Sequence, residues 1–156
     1  MQTVAASHKK LDNKLIQKKN LVGLSEKELY DSILKLKIPE KKASMRAKQL
    51  WSWVYCHGKK DFSEMSNIDK LFRSDLKNHF SLERLKIEKK EKSSDGTIKY
   101  LFSLNDNSKI ETVFIPEKKR STLCISSQVG CTLNCSFCHT GTQKLVRNLS
   151  AEEIVG

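Results

Sequence analysis

The chain has 156 residues, of which 38% are hydrophobic, and its 29 lysines and arginines outnumber 18 acidic residues for a formal net charge of +11. This hydrophobic content allows a core and excludes a wholly disordered chain, while the length suits one ordinary domain or two small ones. The basic excess favours a polyanionic partner, with nucleic acid as the leading class. Because lysine greatly outnumbers arginine, composition supports that partner without establishing it.

The first 20 residues carry five lysines and no apolar run, which argues against a secretory signal peptide. No later stretch approaches the ~20 apolar residues of a membrane span. We therefore expect a cytoplasmic protein without a membrane partner. In that reducing compartment structural disulfides are disfavoured.

A small helical unit is predicted for the first half of the chain. Ser25 and Glu28 form an S-x-x-E capping box that starts a helix, and Pro39 ends it. Two more helices are expected at about residues 42–55, closed by Gly58, and 68–80. The helical spacing of apolar residues predicts a buried face made of Leu29, Ile33, Leu36, Ala47, Leu50, Trp51, Val54, Ile68, Leu71, Phe72 and Leu76.

Basic residues surround this helical unit and are candidates to follow RNA phosphates. They are Lys41, Lys42, Arg46, Lys48, Lys59 and Lys60. Trp51 is assigned to the helix core rather than to a base-stacking surface, because aromatic residues at helical spacing usually pack. Cys56 has His57 beside it but no second pair nearby, and it is interpreted as a buried small hydrophobe.

The charged stretch Lys86–Ser94 is interpreted as the boundary between two units, predicted at residues 1–88 and 89–156. Beyond it the hydrophobic period changes to two, which is typical of strands. The predicted strands are Thr97–Leu104 and Lys109–Ile115, joined as a hairpin by Asn105–Ser108, and then Thr122–Ser127.

Strand parity places two side chains of chemical interest. Glu111 is predicted to share a face with Val113 and Ile115, where desolvation would favour its protonated form and make it a usable proton acceptor. An ordinary glutamate paired with a lysine is an equal alternative. Cys124 is predicted to share a polar face with Ser126.

The strongest motif is C-x3-C-x2-C, formed by Cys131, Cys135 and Cys138, with Cys124 seven residues upstream. Three thiolates on one short loop can hold a single inorganic centre. Three kinds of centre fit: tetrahedral zinc with His139 or Cys124 as the fourth ligand, covalent haem on C-x-x-C-H, or an iron–sulfur cluster. In a cluster with three cysteine ligands, one iron stays open to a substrate.

Phe137, just before the third cysteine, makes this loop resemble the radical S-adenosylmethionine superfamily. The run ETVFIPEKKRSTLCISSQVGCTLNCSFC, followed by Arg147-Asn148-Leu149, closely resembles the bacterial ribosomal RNA adenine C2-methyltransferases. Those enzymes methylate an adenine of 23S rRNA and, in many cases, an adenine of tRNA. The resemblance is specific over residues 110–150 and looser over the helical region.

This resemblance implies a 4Fe-4S cluster on Cys131, Cys135 and Cys138, with S-adenosyl-L-methionine on the open iron and Phe137 near its adenine. One-electron reduction would give a 5′-deoxyadenosyl radical, which takes hydrogen from a methylated cysteine. The resulting methylene radical would add to adenine C2. Because that carbon is not nucleophilic, ordinary methyl transfer would fail there.

The resemblance also implies roles for two other residues. Glu111 would be the proton acceptor. Cys124 would be a redox-active thiol that helps resolve a covalent enzyme–RNA adduct and ends in a transient disulfide with the methylated cysteine. No cysteine follows Cys138, so this chain is expected not to turn over alone. The implied partners are 23S rRNA, tRNA and an electron donor such as a flavodoxin, and a monomer is expected.

The predicted fold is an α+β, N-terminal part of a longer enzyme. A helical accessory domain is followed by a β-hairpin and by the first βα unit of a partial (β/α) barrel, whose helix opens at a second capping box, Ser150–Glu153. Lys144 and Arg147 are candidates to contact phosphates or to balance an anionic centre. Two alternatives stay open: a resistance paralogue that methylates C8 of the same adenine, and a non-enzymatic zinc module on an RNA-binding chain.

Overall fold

The computed structural model describes residues 18–133, 135–136 and 139–156. A helical unit comes first, and a four-stranded antiparallel sheet and a short terminal helix follow it. Among these residues, none of the helices has the length and apolar character needed to span a bilayer. The elements of the helical unit are β1 (Lys19–Asn20), α1 (Glu26–Leu34), α2 (Glu40–Trp51), α3 (Lys70–His79) and β2 (Phe80–Ser81). The remaining elements are β3 (Lys86–Lys92), β4 (Ile98–Ser103), β5 (Lys109–Pro116), β6 (Ser121–Ile125), β7 (Gln128–Val129), β8 (Arg147–Asn148) and α4 (Ala151–Val155).

The three predicted helices are confirmed. At the start of α1 the Glu28 N–H donates to Ser25 Oγ, and the Ser25 N–H donates to the Glu28 carboxylate at 2.8 Å, so the capping box is formed. Pro39 lies after α1 and is the residue that precedes α2. A π-helical turn, Ser52–Cys56, extends α2 before Gly58 turns the chain at φ +60°.

The core of the helical unit contains most of the predicted apolar residues, with two exceptions. Trp51 is 38% exposed and Leu71 is 83% exposed, so both predictions of burial were wrong. In each helix the neighbouring residue, Leu50 or Phe72, belongs to the core instead. A helix buries only one stripe, so residues next to that stripe stay at its solvent edge. Cys56 is also exposed rather than buried.

The parallel pair β1 and β2 joins the two ends of the helical unit. Lys19 lies opposite Phe80, and Asn20 lies opposite Ser81. The next residue, Leu21, is fully buried, and its N–H donates to the Ser81 carbonyl at 3.0 Å. This pairing closes the helical unit around one core.

The sheet has the strand order β3-β4-β5-β6, with antiparallel pairing throughout. The predicted hairpin is confirmed: Ser103 lies opposite Lys109, and Asn107 adopts a left-handed conformation in the turn (φ +64°). The predicted third strand is β6, which pairs antiparallel with β5. The barrel that it was predicted to begin stays a prediction.

The charged stretch Lys86–Ser94, predicted to separate two units, largely forms strand β3. All seven residues of β3 are exposed, so no hydrophobic alternation signals the strand. Backbone pairing with β4 holds it in place, and backbone pairing requires no apolar side chain. The predicted boundary between residues 88 and 89 would fall inside β3, and the division into two domains stays a prediction.

The helical unit contacts α4 directly. Asn20 donates to the Glu152 carboxylate at 2.7 Å, and the Arg84 guanidinium donates both to the Val54 carbonyl at 2.9 Å and to the Val155 carbonyl at 3.0 Å. A Cβ placed on Gly23 would lie 2.4 Å from the Glu152 nitrogen. The backbones therefore approach so closely that only glycine fits at residue 23.

Arg147 ties the hairpin turn to α4. Its guanidinium contacts the Asp106 carboxylate at 2.8 Å and the Glu153 carboxylate at 2.7 Å. The Ser108 N–H, and after it the Arg147 guanidinium, lower the pKa of Asp106 from 3.8 to about 2. Arg147 likewise lowers the pKa of Glu153.

Replacing Asp106 by asparagine is expected to flatten the acid dependence of stability. Because the pKa of Asp106 is lower in the folded chain, the charged pair stabilises the fold above about pH 4, and this contribution is lost as the pH falls to about 2. Asparagine keeps an acceptor for the Ser108 N–H but removes the charge. Urea unfolding of the metal-free chain between pH 7 and pH 2 measures the difference.

Asp95 provides the matched control. It accepts from the Thr97 N–H at 2.9 Å, as Asp106 does from Ser108, but it has no ion pair among the described residues. Asp95→Asn should therefore change the pH dependence less than Asp106→Asn. Equal effects of the two substitutions would show that the turn, rather than Arg147, sets the acid dependence.

Candidate functional site

The cysteine loop is closed at its base by backbone contacts. The Cys131 N–H donates to the Gln143 carbonyl at 3.1 Å, and Cys131 forms an isolated parallel bridge with Lys144. Gly130, just before the loop, has φ +76°, and a Cβ there would lie 2.0 Å from the Lys144 carbonyl oxygen. The base of the loop therefore requires glycine at residue 130.

Two of the three motif cysteines lie in the described part of the loop. Cys131 and Cys135 are half-buried free thiols. The Leu133 N–H donates to Cys131 Sγ at 3.3 Å. A backbone donor to a sulfur is one of the interactions by which proteins tune iron–sulfur clusters. The predicted third ligand, Cys138, and the predicted cofactor contact, Phe137, lie outside the described residues.

Glu111 is the third residue of β5, and its surroundings differ from the prediction. Its side chain is 49% exposed, and its carboxylate contacts Lys99 Nζ at 3.1 Å. The prediction of a desolvated carboxylate on an apolar face was therefore wrong, and the alternative of a glutamate paired with a lysine describes the geometry. Ile115, on the same side of β5, is also partly exposed, so this face is not covered around Glu111. The role of Glu111 as proton acceptor stays a prediction.

Cys124 is an exposed free thiol on β6. It lies opposite Val113 on β5, which places it on the same face of the sheet as Glu111. The two side chains are diagonal neighbours, which in a regular sheet separates their positions by roughly 7–8 Å. The predicted polar face shared with Ser126 and the redox role of Cys124 both stay predictions.

A cavity of about 190 Å³ joins the sheet to the cysteine loop. It is lined by Leu101, Lys109, Ile110, Glu111, Ser126, Gln128, Gly130, Thr140 and Gln143. The Ser126 hydroxyl donates to the Glu111 carbonyl at 2.8 Å, which fixes the end of β6 against β5. The structure therefore brings the predicted proton acceptor and the base of the predicted cluster loop to one polar cavity.

Sequence reasoning missed Lys99, the partner of Glu111. The signal was present in the hairpin register. Counting outwards from the turn, Leu101 lies opposite Glu111 and Lys99 lies opposite Val113, so Lys99 and Glu111 share a face. The cavity residues Gln128 and Gln143 had no such signal, because loop closure brings them together.

Arg147 was predicted to be available for phosphates or for an anionic centre, and this prediction was wrong. Its guanidinium is committed to Asp106 and Glu153. Lys144 is exposed beside the base of the loop and has no ion pair among the described residues. Lys144 therefore remains the candidate cation near the cysteines.

A family model matches the helical unit. It is described as the ribosomal RNA large subunit methyltransferase N-terminal domain, and it covers residues 19–82. These residues run from β1 to the residue after β2, the unit that the parallel pair closes. The match therefore covers one complete structural unit.

Curated relatives extend the similarity to the cysteine loop. The chain is 51% identical over 138 residues to the dual-specificity RNA methyltransferase RlmN of Paracoccus denitrificans (strain Pd 1222). It is 53% identical over 137 residues to the protein of that name in Cereibacter sphaeroides (strain ATCC 17029 / ATH 2.4.9). Each alignment covers 88% of this chain but 35% of the relative, so the chain spans about a third of their length.

A solved structure shares the fold. The crystal structure of a radical SAM methyltransferase from Sphaerobacter thermophilus matches with a TM-score of 0.74 at 36% sequence identity. The match covers 87% of this chain and 39% of that chain. The mixed α/β fold of this chain is thus similar to part of that radical SAM methyltransferase structure.

Proposed function

The chain belongs to the RlmN family of RNA methyltransferases, and on that premise we propose that it is part of an enzyme that methylates C2 of an adenine in RNA. The relatives' printed name supports RNA as the substrate, and the solved neighbour supports radical chemistry. We propose 23S rRNA and tRNA as the substrates. The observation that carries the proposal is the cavity shared by Glu111 and the base of the cysteine loop.

The donor set fits an iron–sulfur cluster. Cys131 and Cys135 are free, half-buried thiols on one loop, and a backbone N–H already contacts one of the sulfurs. With Cys138 they would hold a 4Fe-4S cluster, and Phe137 would contact S-adenosylmethionine. When bound, the cluster supplies the electron that cleaves this cofactor and yields a carbon radical, which C2 of adenine requires because it is not nucleophilic.

The chain's own residues would handle protons and sulfur. Glu111 would accept the proton from adenine C2, and Lys99, 3.1 Å away, would hold the carboxylate in position. Cys124, exposed on the same face, would attack the sulfur of the methyl-carrying cysteine. Cys124 would lose its proton, and the bond from that sulfur to the methylene carbon on adenine would break with its electron pair going to that carbon. The carbon would take up a proton and become the methyl group, and a transient disulfide would remain.

The remaining assignments follow from the same proposal. The enzyme would act in the cytoplasm, as a monomer, with a one-electron donor such as a flavodoxin. Residues 1–88, which include the helical unit, would serve as the RNA-binding accessory domain, and residues 89–156 would begin the catalytic domain. The net charge of +11 supports an RNA partner.

Electron paramagnetic resonance tests the proposal. The chain is reconstituted anaerobically with iron and sulfide, reduced, and measured with and without S-adenosylmethionine. We expect the signal of a reduced 4Fe-4S cluster. A change of that signal on addition of S-adenosylmethionine would show that one iron is open to the cofactor.

Two other outcomes have defined meanings. About one zinc per chain in place of a cluster would overturn the radical proposal and leave a binding module. If the cluster signal does not change on addition, the same test is repeated on a chain as long as the relatives, which are about two and a half times the length of this chain.

A further inference from the structure

One exposed face of α2 combines aromatic, apolar and basic side chains. Lys41, Met45 and Lys48 point away from the core, and Trp51 lies at the edge of the same face. Met45 is 48% exposed and Trp51 is 38% exposed. We call these four residues the α2 surface. Lys41 and Lys48 are seven residues apart, two helical turns and about 10 Å along the axis.

The lysines of the α2 surface are free to contact a partner. Arg46, on another face of α2, is bonded to Asp69 and lies over the Phe72 ring at 5.4 Å. Lys41 and Lys48 have no carboxylate within 4.0 Å among the described residues. Arg46 thus takes part in contacts within the fold, whereas the charges of Lys41 and Lys48 are exposed and have no acidic partner among the described residues.

Trp51 packs against a second aromatic ring. Its indole ring lies 5.3 Å from the Tyr55 ring, centroid to centroid. Tyr55 is itself anchored, because its hydroxyl donates to the Leu24 carbonyl at 2.8 Å. An exposed aromatic ring that packs in this way loses little conformational entropy when a flat partner stacks on it.

A groove between α1 and α2 adjoins this surface. It has a volume of about 480 Å³ and is lined by Glu26, Lys27, Tyr30, Ser44 and Ala47. Ala47 lies one helical turn before Trp51. The groove therefore gives an unstacked base a place to enter next to the indole ring.

We propose that the α2 surface is an RNA-docking surface, on which an unpaired base stacks on Trp51 while Lys41 and Lys48 contact phosphates. The proposal rests on the proposed function, which makes RNA the partner, and it adds a binding surface separate from the cysteine loop. Charge favours RNA over a protein partner, since lysine is depleted in protein–protein interfaces. Aromatic stacking beside a basic track is the usual mode for unpaired nucleic acid.

Fluorescence anisotropy with the 156-residue chain tests the proposal. The probe is a dye-labelled RNA hairpin with an unpaired loop, titrated between about 50 and 200 mM salt. Trp51→Leu should weaken binding by about 5- to 150-fold, because stacking on one base is lost, and leave the salt dependence unchanged. Lys41→Gln with Lys48→Gln should reduce the slope of log K against log salt by about 1.4, the value for two phosphates on a single strand.

The matched control is the pair Lys118→Gln and Lys119→Gln, in the turn between β5 and β6. Both lysines are exposed, and the change in net charge is the same. This control should leave the salt slope unchanged, and circular dichroism should show an intact fold in every variant.

Three results would overturn the proposal that the α2 surface docks RNA. They are no binding of the hairpin by the unmodified chain, wild-type affinity in Trp51→Leu, or an equal reduction in the slope of log K against log salt in the control pair. The cluster signal is measured separately in the same variants. If the RNA-docking proposal fails but the cluster signal is intact, the proposed function still stands. If the cluster is missing, the proposed function fails, and that loss would not account for a change in RNA binding.

Discussion

Replacing Cys135 by alanine is expected to abolish cluster assembly, lowering iron from about four per chain to background. Cys135 is one of only three cysteines in the C-x3-C-x2-C motif, and it is a half-buried free thiol in the described part of the loop. With two thiolates left, the cluster would lack one of its three proposed protein ligands. Iron, acid-labile sulfide and the electron paramagnetic resonance signal measure the loss.

Two cysteines serve as controls for this experiment. Cys124→Ala should keep full iron content, because Cys124 is proposed as a redox thiol rather than a ligand. Cys56→Ala should also keep it, because Cys56 lies on the π-helical turn of the helical unit. If Cys124→Ala lost the metal as completely as Cys135→Ala, four cysteines would be ligands, and the zinc alternative would gain support.

Gly130→Ala is expected to destabilise the apo chain and to prevent cluster assembly. A Cβ at this residue would lie 2.0 Å from the Lys144 carbonyl oxygen and 2.7 Å from its carbon. The two strands of backbone at the base of the loop would have to separate, which breaks the Cys131 contact with Gln143. We expect a loss of at least about 3 kcal/mol in the free energy of unfolding, combining left-handed backbone strain with the clash.

Gly58→Ala separates these two causes. Gly58 also has a left-handed backbone, with φ +60°, but a Cβ there would meet no atom within 4 Å. This control should cost about 1–2 kcal/mol from backbone strain alone and leave iron binding intact. Urea unfolding and iron content measure both variants. Equal losses would mean that the base of the loop can open without penalty.

Sequence alone determined the features that depend on local chemistry. Both capping boxes formed as predicted, at Ser25 and at Ser150, because a capping box needs only residues within one helical turn. The hairpin also formed, because a polar turn of four residues fixes the register of the strands beside it. The cysteine spacing limited the loop to a small set of inorganic centres, and the iron–sulfur cluster among them stays a prediction.

Tertiary structure decided the features that depend on distant segments. Periodicity marks the side of a helix that is apolar but not the width of the stripe that a neighbour covers, so Trp51 was predicted to be buried and is exposed. Strand β3 carries no apolar pattern, and only its backbone pairing with β4 reveals it. Glu111 was placed on the correct strand, but the open face and Lys99 set its environment. The close approach of Gly23 to Glu152 likewise arises only when segments more than a hundred residues apart pack together, and local propensities contain no information about such contacts.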